Sequence, residues 1–453
     1  MFSYIKKPEI PDKLTALAES AKYDVCLASC SGGTDGKAGR SRNPSNPLEE
    51  WIYPASIPGK GWVHILKILQ SNSCRNNCSY CHFSADNSTL RRTSMSPEEL
   101  ASAFMQLVRA RMVWGIFLSS GVCGDAESSM ANIVKTAELL RNRYRFGGYI
   151  HLKIIPGCSE QLIDAAAGLA NRLSINLEAP NEKRLQLIAP DKKLKDGIIP
   201  AVEHTAAILK LKTEKKDKRI RAVSQTTQFV VGAAGEKDEE ILKTVDHLYR
   251  EMYMFRSYFS AYQATGATKE TVPPADGELA GYPLLREHRL YQCDFLLRAY
   301  GFRFGDIVFN GEGNIPLETD PKTAWAVMNP ELFPVEINTA PLDSLLKVPG
   351  IGPLSAQKII EQRRSDPFTS LEQLKGTGAW SKRASGWIEI NGKKSLYSAS
   401  SFDPGQKWLF EQLAPDSWKT ADGGDSGDYE YPAQKGRWVN YQFKKTDKRI
   451  WCR

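Results

Sequence analysis

The sequence predicts an α/β fold in which six strand–helix units precede a smaller helical module. Strand-like apolar runs alternate with predicted helices between residues 63 and 262, and a loop with three cysteines follows the first run. Two further short helices flank a Pro-Gly-Ile-Gly turn near residue 350. Strands that alternate with helices are typical of a parallel sheet with helices outside it.

The predicted strands are short apolar runs bounded by polar or glycine-containing segments. They are Val63–Leu69, Gly115–Ser119, Tyr149–Ile155, Arg172–Glu178, Gln225–Val231 and Phe255–Tyr262. Helices are predicted near residues 11–23, 96–112, 129–144, 159–170, from 181, 238–252 and from 283. The helix at residue 96 begins with Ser-Pro-Glu-Glu, which combines a cap, a first-turn proline and acidic residues. Residues 31–58, rich in Gly, Ser, Asn and Pro, are predicted to be a long loop.

Composition limits the class of protein. A chain of 453 residues favours two or more domains, and 42% hydrophobic with 25% charged residues is ordinary for a globular protein. No apolar run reaches ~18 residues and no signal peptide is visible, so no membrane segment is expected. Nine cysteines do not suggest a disulfide framework, and a cytoplasmic location is predicted. The net charge of +8 permits a nucleic-acid partner without requiring one.

Cys74, Cys78 and Cys81 form a Cys-x3-Cys-x2-Cys triplet. Three thiolates can hold three irons of a [4Fe–4S] cluster and leave the fourth iron for a small molecule. The alternatives are a zinc site and chance clustering. Structural zinc needs four ligands, and His82, adjacent to Cys81, would strain a tetrahedron. The iron–sulfur interpretation is therefore favoured, whereas Cys26 and Cys30 are interpreted as ordinary thiols.

The triplet, with Tyr80 before its last cysteine, resembles the signature of the radical S-adenosylmethionine (SAM) superfamily. This resemblance implies a [4Fe–4S] cluster and S-adenosyl-L-methionine as cofactors, and chemistry that begins with a 5′-deoxyadenosyl radical. It also implies that the six units form a partial (β/α)6 TIM-like barrel. Active sites of βα barrels lie at the carboxyl ends of the strands, and the cysteine loop follows the first predicted strand.

Polar residues and glycines at the predicted strand ends are candidates for binding the cofactor. In the superfamily the second strand ends in a Gly-Gly-Glu-like turn that binds the amino group of SAM, and this chain has Ser-Ser-Gly there. The alternative for each candidate is a structural polar residue at the barrel mouth. The candidates are Ser119, Ser120, Gly121, Lys153, Asn176, Glu178, Gln228 and Gly232.

The helical module resembles a helix-hairpin-helix, a unit that binds DNA without reading its sequence. The turn residues Gly350, Ile351 and Gly352 would present amides to a phosphate, and Lys358 and Arg364 would add charge. Some such modules serve only for protein packing. Residues 435–453 carry seven Lys or Arg with interleaved aromatics, a composition that suits nucleic acid.

The triplet and module, with segments 118–122, 149–153, 283–289 and 334–352, resemble a DNA modification/repair subgroup of radical SAM proteins. This implies an enzyme that modifies or repairs a nucleic acid, with DNA favoured over RNA. It also implies an electron donor such as a flavodoxin or ferredoxin, and a uracil-DNA-glycosylase-like partner. Two alternatives stay open: a radical SAM enzyme that modifies tRNA or a protein, and a non-enzymatic iron–sulfur DNA-binding redox protein.

The predicted domains follow these segments. They are an N-terminal extension (1–60), the barrel (61–265), a connecting helical region (266–335), the hairpin module (336–395) and a basic aromatic tail (396–453). In the connecting region, Arg286, His288 and Arg289 either face the barrel mouth or belong to a salt-bridged structural helix.

Overall fold

The computed structural model describes residues 9–21, 52–57, 61–262 and 282–394. They belong to two compact units. The first comprises residues 9–21, 52–57, 61–234 and 252–262, and the second comprises residues 235–251 and 282–394. Cys26, Cys30 and the predicted tail lie outside the described residues, and the predicted domain boundaries stay predictions.

The first unit is built on a curled, open half-barrel of seven strands in sequential order. The strands are β1 (Ile52–Ile57), β2 (Gly61–Leu69), β3 (Gly115–Ser119), β4 (Tyr149–Lys153), β5 (Arg172–Ser174), β6 (Gln225–Val231) and β7 (Met254–Ala261). Strands β2 to β7 are parallel, which confirms the predicted α/β class with six strand–helix units.

Strand β1 corrects the prediction of a long loop at residues 31–58. It pairs antiparallel with β2 over six residue pairs, from Ile52 opposite Leu66 to Ile57 opposite Gly61. Its hydrogen-bonding partner is the edge of β2, so the pairing depends on a tertiary contact that local composition does not encode.

Helices connect the strands of the first unit. They are α1 (Ile10–Ala21), α2 (Pro97–Arg109), α3 (Ala126–Glu138), α4 (Glu160–Leu169), α5 (Glu182–Ile188) and α6 (Ile199–Lys215). Single π-turns, Leu139–Arg143 and Leu194–Ile198, follow α3 and precede α6. Helix α2 begins as predicted, because Ser96 and Glu99 form a capping box.

The two faces of the sheet differ in chemistry. One face carries aliphatic side chains that are at most 1% exposed and form the core beneath the helices: Leu66, Ile68, Ile116, Leu118, Ile150, Leu152 and Leu173. Alternate residues on the same strands form the inner face of the half-barrel and are mostly polar or aromatic. The carboxyl ends of the parallel strands therefore meet at one edge, above this polar inner face.

The second unit is mainly helical. Its helices are α7 (Asp238–Glu251), α8 (Pro283–Ala299), α9 (Pro321–Met328), α10 (Leu342–Lys347), α11 (Pro353–Gln362), α12 (Leu371–Lys375) and α13 (Ser381–Ala384). The short strands β8 (Val335–Glu336), β9 (Ile388–Ile390) and β10 (Lys393–Lys394) form a three-stranded sheet. In the described residues, no helix is both long enough and apolar enough to cross a membrane.

Arg286 on α8 is part of the structure of this second unit. Its Nε lies 2.7 Å from Oδ1 of Asp238, and both side chains are at most 2% exposed. The guanidinium also donates to the carbonyl of Glu236, at 2.7 Å. Arg289 donates to the carbonyl of Leu317. These contacts support the interpretation of α8 as a salt-bridged structural helix.

Candidate active site

The cysteine loop begins where β2 ends and is held against the turn that ends β3. Gly121 N donates to Ser71 O at 2.8 Å, and Arg75 N donates to Val122 O at 2.8 Å. Val122 N donates to Sγ of Cys74 at 3.4 Å. A Cβ at position 121 would lie 2.4 Å from Ser73 O, so this close approach requires glycine.

Arg92 fixes the far side of the loop. Its guanidinium donates to the carbonyls of Asn72 and Phe83, each at 2.9 Å, and of Ser84 and Asn87, at 2.6 and 3.1 Å. Arg92 was not among the predicted site residues, because an arginine in a polar loop resembles a solvated charge. These four hydrogen bonds hold the backbone around the cysteines in one conformation.

The three thiols lie close enough to influence one another. Burial raises the pKa of Cys81 to about 12, and the neighbouring Cys78 and Cys74 add to the shift. Burial is also the main cause of the raised pKa of Cys78. A bound cation would replace these thiol protons. Three soft thiols held on one loop at the strand edge fit an iron–sulfur cluster.

No group of three or more His, Cys, Asp or Glu side chains within the described residues is arranged to hold a single metal ion. The cluster assignment rests on the donor set and its loop. A cluster distributes its cysteine ligands over several irons.

Glu178, Lys192 and Tyr80 form a connected group beside the cysteines. Lys192 Nζ lies 3.0 Å from Oε1 of Glu178 and 3.1 Å from the hydroxyl of Tyr80. Burial by itself lowers the pKa of Lys192, but Glu178 and the cysteines outweigh it, so the pKa is raised. Glu178 has φ +66°, a conformation that a non-glycine residue adopts only when its surroundings impose it.

The predicted cofactor residues occupy the carboxyl edge of the sheet. Ser119 and Lys153 are the last residues of β3 and β4, and Gly232, with φ +89°, directly follows β6. Ser120 Oγ donates to Gly121 O at 2.8 Å, so this hydroxyl serves the turn itself. The structure therefore brings these residues to the edge that bears the cysteines.

The remaining candidates lie on or after β5 and β6. Asn176 and Glu178 are 7% and 4% exposed, and both follow β5 on its inner side. Gln228 lies on β6, and its carbonyl accepts from Glu178 N at 2.9 Å. Lys192, which engages Glu178, was not predicted, since it lies in a charged loop that reads as solvated. The carboxylate of Glu178 thus already has a protein partner.

The hairpin lies in the second unit, between α10 and α11. Gly350 has φ +86°, and a Cβ there would lie 2.8 Å from Trp380 O. Ile351 is 1% exposed, so its side chain belongs to the core of the hairpin and only its backbone can meet a ligand. Gly352 caps α11 without any side-chain hydrogen bond. Lys358 and Arg364 are exposed.

Comparison with known families gives two matches. Residues 68–248 match the Radical SAM superfamily, and residues 333–377 match the Helix-hairpin-helix motif. No curated protein matches the sequence.

Solved structures show distant similarity. The FeFe-hydrogenase maturase HydG from Carboxydothermus hydrogenoformans is 16% identical over 51% of each chain, with a TM-score of 0.39. Methylornithine synthase PylB is 14% identical over 50% of this chain and 61% of its own, with a TM-score of 0.39. The cobalamin-dependent SAM radical enzyme OxsB is 14% identical over 66% and 45%, with a TM-score of 0.29. The chain covers about half the length of HydG.

Proposed function

Because this chain carries a radical SAM domain at residues 68–248 and a helix-hairpin-helix motif at residues 333–377, we propose that it is a radical SAM enzyme that modifies or repairs a nucleic acid, specifically DNA. The presence of both in one chain is the observation that carries the proposal. In such proteins, the bound [4Fe–4S] cluster and SAM together supply a 5′-deoxyadenosyl radical, which abstracts hydrogen.

The residues of the first unit have distinct roles in this proposal. Cys74, Cys78 and Cys81 are the cluster ligands. Backbone groups of the β3 turn and side chains at the other strand ends bind SAM, and Lys192 holds the carboxylate of Glu178 in place. The proposed SAM-binding residues are Ser119, Ser120, Gly121, Lys153, Asn176, Glu178, Gln228 and Gly232.

The second unit is proposed to bind the nucleic-acid backbone. Gly352 leaves the first turn of α11 without a side-chain cap, and the exposed Lys358 lies on the same helix. Backbone amides at a helix start and nearby cations suit a phosphate. Such contacts position DNA without reading its bases. A base inside a duplex is out of reach, so the substrate is flipped out or single-stranded.

The partners of the reaction follow from the family resemblance alone. A flavodoxin or ferredoxin is proposed as electron donor, and a uracil-DNA-glycosylase-like protein as a partner. A cytoplasmic location is likewise a prediction.

One experiment separates an enzyme from a redox protein. Full-length protein with a reconstituted cluster is incubated with dithionite and SAM, with and without DNA, and 5′-deoxyadenosine is measured. Its formation supports a radical enzyme. Its absence under both conditions would favour the non-enzymatic iron–sulfur DNA-binding protein.

A second experiment tests the nucleic acid. Duplex DNA and tRNA are titrated at several salt concentrations with the wild type, Lys358→Gln, Arg364→Gln and the control Lys210→Gln, an exposed lysine on α6. Each hairpin variant should lower duplex affinity, with a slope of log K against log salt shallower by about 0.9 per lost phosphate contact. Tight binding of tRNA alone, or no DNA binding at low salt, would overturn the assignment to DNA.

A further inference from the structure

One tryptophan of the hairpin module lies largely in solvent. Trp380 is located between α12 and α13 and is 54% exposed. Within the described residues 342–384, no other large apolar residue is more than half exposed. The nearby Phe368 and Trp387 are 0% and 6% exposed. Single exposed apolar residues are common on protein surfaces, so it is the location of Trp380 that distinguishes it.

The backbone of Trp380 is joined to the hairpin turn. Trp380 N donates to the carbonyl of Gly350 at 2.9 Å, and a Cβ at Gly350 would lie 2.8 Å from Trp380 O. The turn is also held by Lys322, whose Nζ donates to the carbonyl of Ile351 at 2.6 Å. The side chain of Trp380 therefore begins directly beside the backbone that is proposed to bind a phosphate.

Arg383 lies against one face of the Trp380 ring. Its Cζ is 5.4 Å from the ring centroid, and a guanidinium over an indole is a favourable contact. Arg383 is itself anchored, because Nη2 donates to Oγ1 of Thr323 at 2.7 Å and pairs with Asp320. Since Arg383 occupies one face while Trp380 is 54% exposed, the opposite face of the ring is the open one.

The segment around Trp380 is basic. Residues 373–388 contain Lys375, Lys382 and Arg383 but no Asp or Glu. Lys375 and Lys382 are exposed. An exposed aromatic ring among cations suits a single strand, because a base stacks on the ring and the cations follow the phosphates. A base inside a duplex has no free face to offer, since its neighbours stack on both sides.

We propose that Trp380 is a stacking platform for one unpaired base of DNA whose backbone is bound at the hairpin. This inference rests on the proposed function and deepens it, because it names the form of the substrate that the second unit selects. Amides and cations at the hairpin suit any phosphate backbone. Trp380 would add a preference for a single strand, or for a single-stranded gap in a duplex.

Binding of gapped DNA tests the proposal. The probe is a fluorescent duplex with a three-nucleotide single-stranded gap, and the matched probe carries three abasic units in the gap with the same phosphates. Full-length protein with a reconstituted cluster is used anaerobically, with SAM and without reductant. The wild type should prefer the gap with bases by about 5-fold to 150-fold. Trp380→Ala should abolish this preference, and Trp380→Phe should keep part of it.

Controls distinguish stacking from a structural role. Trp62→Ala removes a tryptophan of the first unit that is 50% exposed, and it should leave the preference unchanged. Lys358→Gln should weaken the binding of both probes by the same factor. Trp380→Ala should leave the slope of log K against log salt unchanged, because it removes no phosphate contact. Circular dichroism and denaturation midpoints identify a variant that has not folded.

The outcomes separate this inference from the proposed function. An unchanged preference in folded Trp380→Ala overturns the inference, and so does an equal loss of affinity for both probes. A wild type that binds both probes equally also overturns it. In each of these cases, duplex binding that depends on Lys358 leaves the proposed function standing. A preference that depends on Trp380, in a protein that forms no 5′-deoxyadenosine, would support the stacking site and overturn the enzyme.

Discussion

Single residues around the cysteine loop determine whether three thiols can act as ligands. The loop is fixed by the four carbonyl contacts of Arg92 and by the approach of Gly121 to Ser73. Burial raises the pKa of the Cys78 and Cys81 thiols, so metal binding must displace their protons. The loop therefore positions the cysteines, and the positive charge of the bound metal keeps their thiolates ionised.

Cys78→Ala should lose most of the iron, because two thiolates do not hold a cluster that three are proposed to bind. Iron content after anaerobic reconstitution is the measurement. Cys123→Ala, an exposed cysteine outside the triplet, is the control and should keep its iron. Equal iron in both variants would contradict the ligand assignment.

Lys192→Met should destabilise the first unit by about 2–4 kcal/mol, because it leaves the carboxylate of Glu178 buried without its cation. This destabilisation is smaller than that expected for breaking a fully buried ion pair, because the Lys192 side chain is 19% exposed. Denaturant unfolding of the reconstituted protein measures the loss. The double variant with Glu178→Gln should be less destabilised than the sum of the two single changes. Simple additivity would show that the pair is not coupled.

At the scale of helices and strands, the periodicity and cap residues of the sequence predict some elements and miss others. Helix α2 begins at its predicted cap, while β1 arises only by pairing with β2. The turn after β3 lies against the cysteine loop through Gly121, and this contact joins two elements far apart in the sequence. Helix α8 is held by the buried pair of Arg286 and Asp238.

Gly121→Ala should impair cluster assembly and destabilise the protein by about 1–3 kcal/mol. The added methyl group would meet Ser73 O at 2.4 Å, which forces the turn away from the loop. Gly147→Ala is the control, because nothing lies within 4 Å of its added Cβ. Iron content and denaturation midpoints are measured for both. Comparable values for the two variants would mean that the turn can shift freely.

His288 on α8 should make the second unit sensitive to acid. Burial, with a smaller effect of Arg289, lowers the pKa of this histidine to about 4 from its usual 6.5. The unfolded chain then binds the proton more readily, so stability is fully present above pH 6.5 and is lost as the pH falls from 6.5 to 4. Between pH 7 and 5 the free energy of unfolding should fall by about 1 kcal/mol. This is less than the full pKa shift would give, because the His288 side chain is partly exposed.

The His288→Gln variant removes this titration. Its unfolding free energy should therefore fall less than that of the wild type between pH 7 and 5, when both are measured by denaturant titration. Parallel curves for the two proteins would show that His288 titrates alike in the folded and unfolded states.

The whole molecule divides into two compact units, each with its own core. The cysteines belong to the first unit and the hairpin to the second. A ligand stabilises only the folded state that binds it. Loss of the cluster is therefore expected to affect the first unit, while the second keeps its own stability.

Differential scanning calorimetry checks this expectation. Cys78→Ala should lower the midpoint of the transition that belongs to the first unit and leave the midpoint of the other transition unchanged. Ile359→Ala truncates a fully buried side chain on α11 and should destabilise the second unit by about 2–5 kcal/mol. It should therefore lower the midpoint of the other transition. A single transition that shifts with both variants would show that the units unfold together.

The sequence by itself determined the α/β class, the parallel strands β2 to β7, the cysteine triplet after the first of them and the helical hairpin. These follow from hydrophobic periodicity, cap residues and the spacing of cysteines, all of which are local properties. Polar candidates such as Lys153 and Glu178 could be predicted because parallel strands end at one edge.

Only the tertiary structure decided which side chains meet. The pairing of β1 with β2, the arginine that fixes the cysteine loop and the lysine that binds Glu178 all depend on contacts between distant segments. The same holds for the polar and aromatic side chains of the inner face, since strand register sets their neighbours. In the sequence, a charged residue of a solvated loop looks the same as one of a buried site. Only the burial and the contacts of the side chain in the folded protein distinguish the two cases.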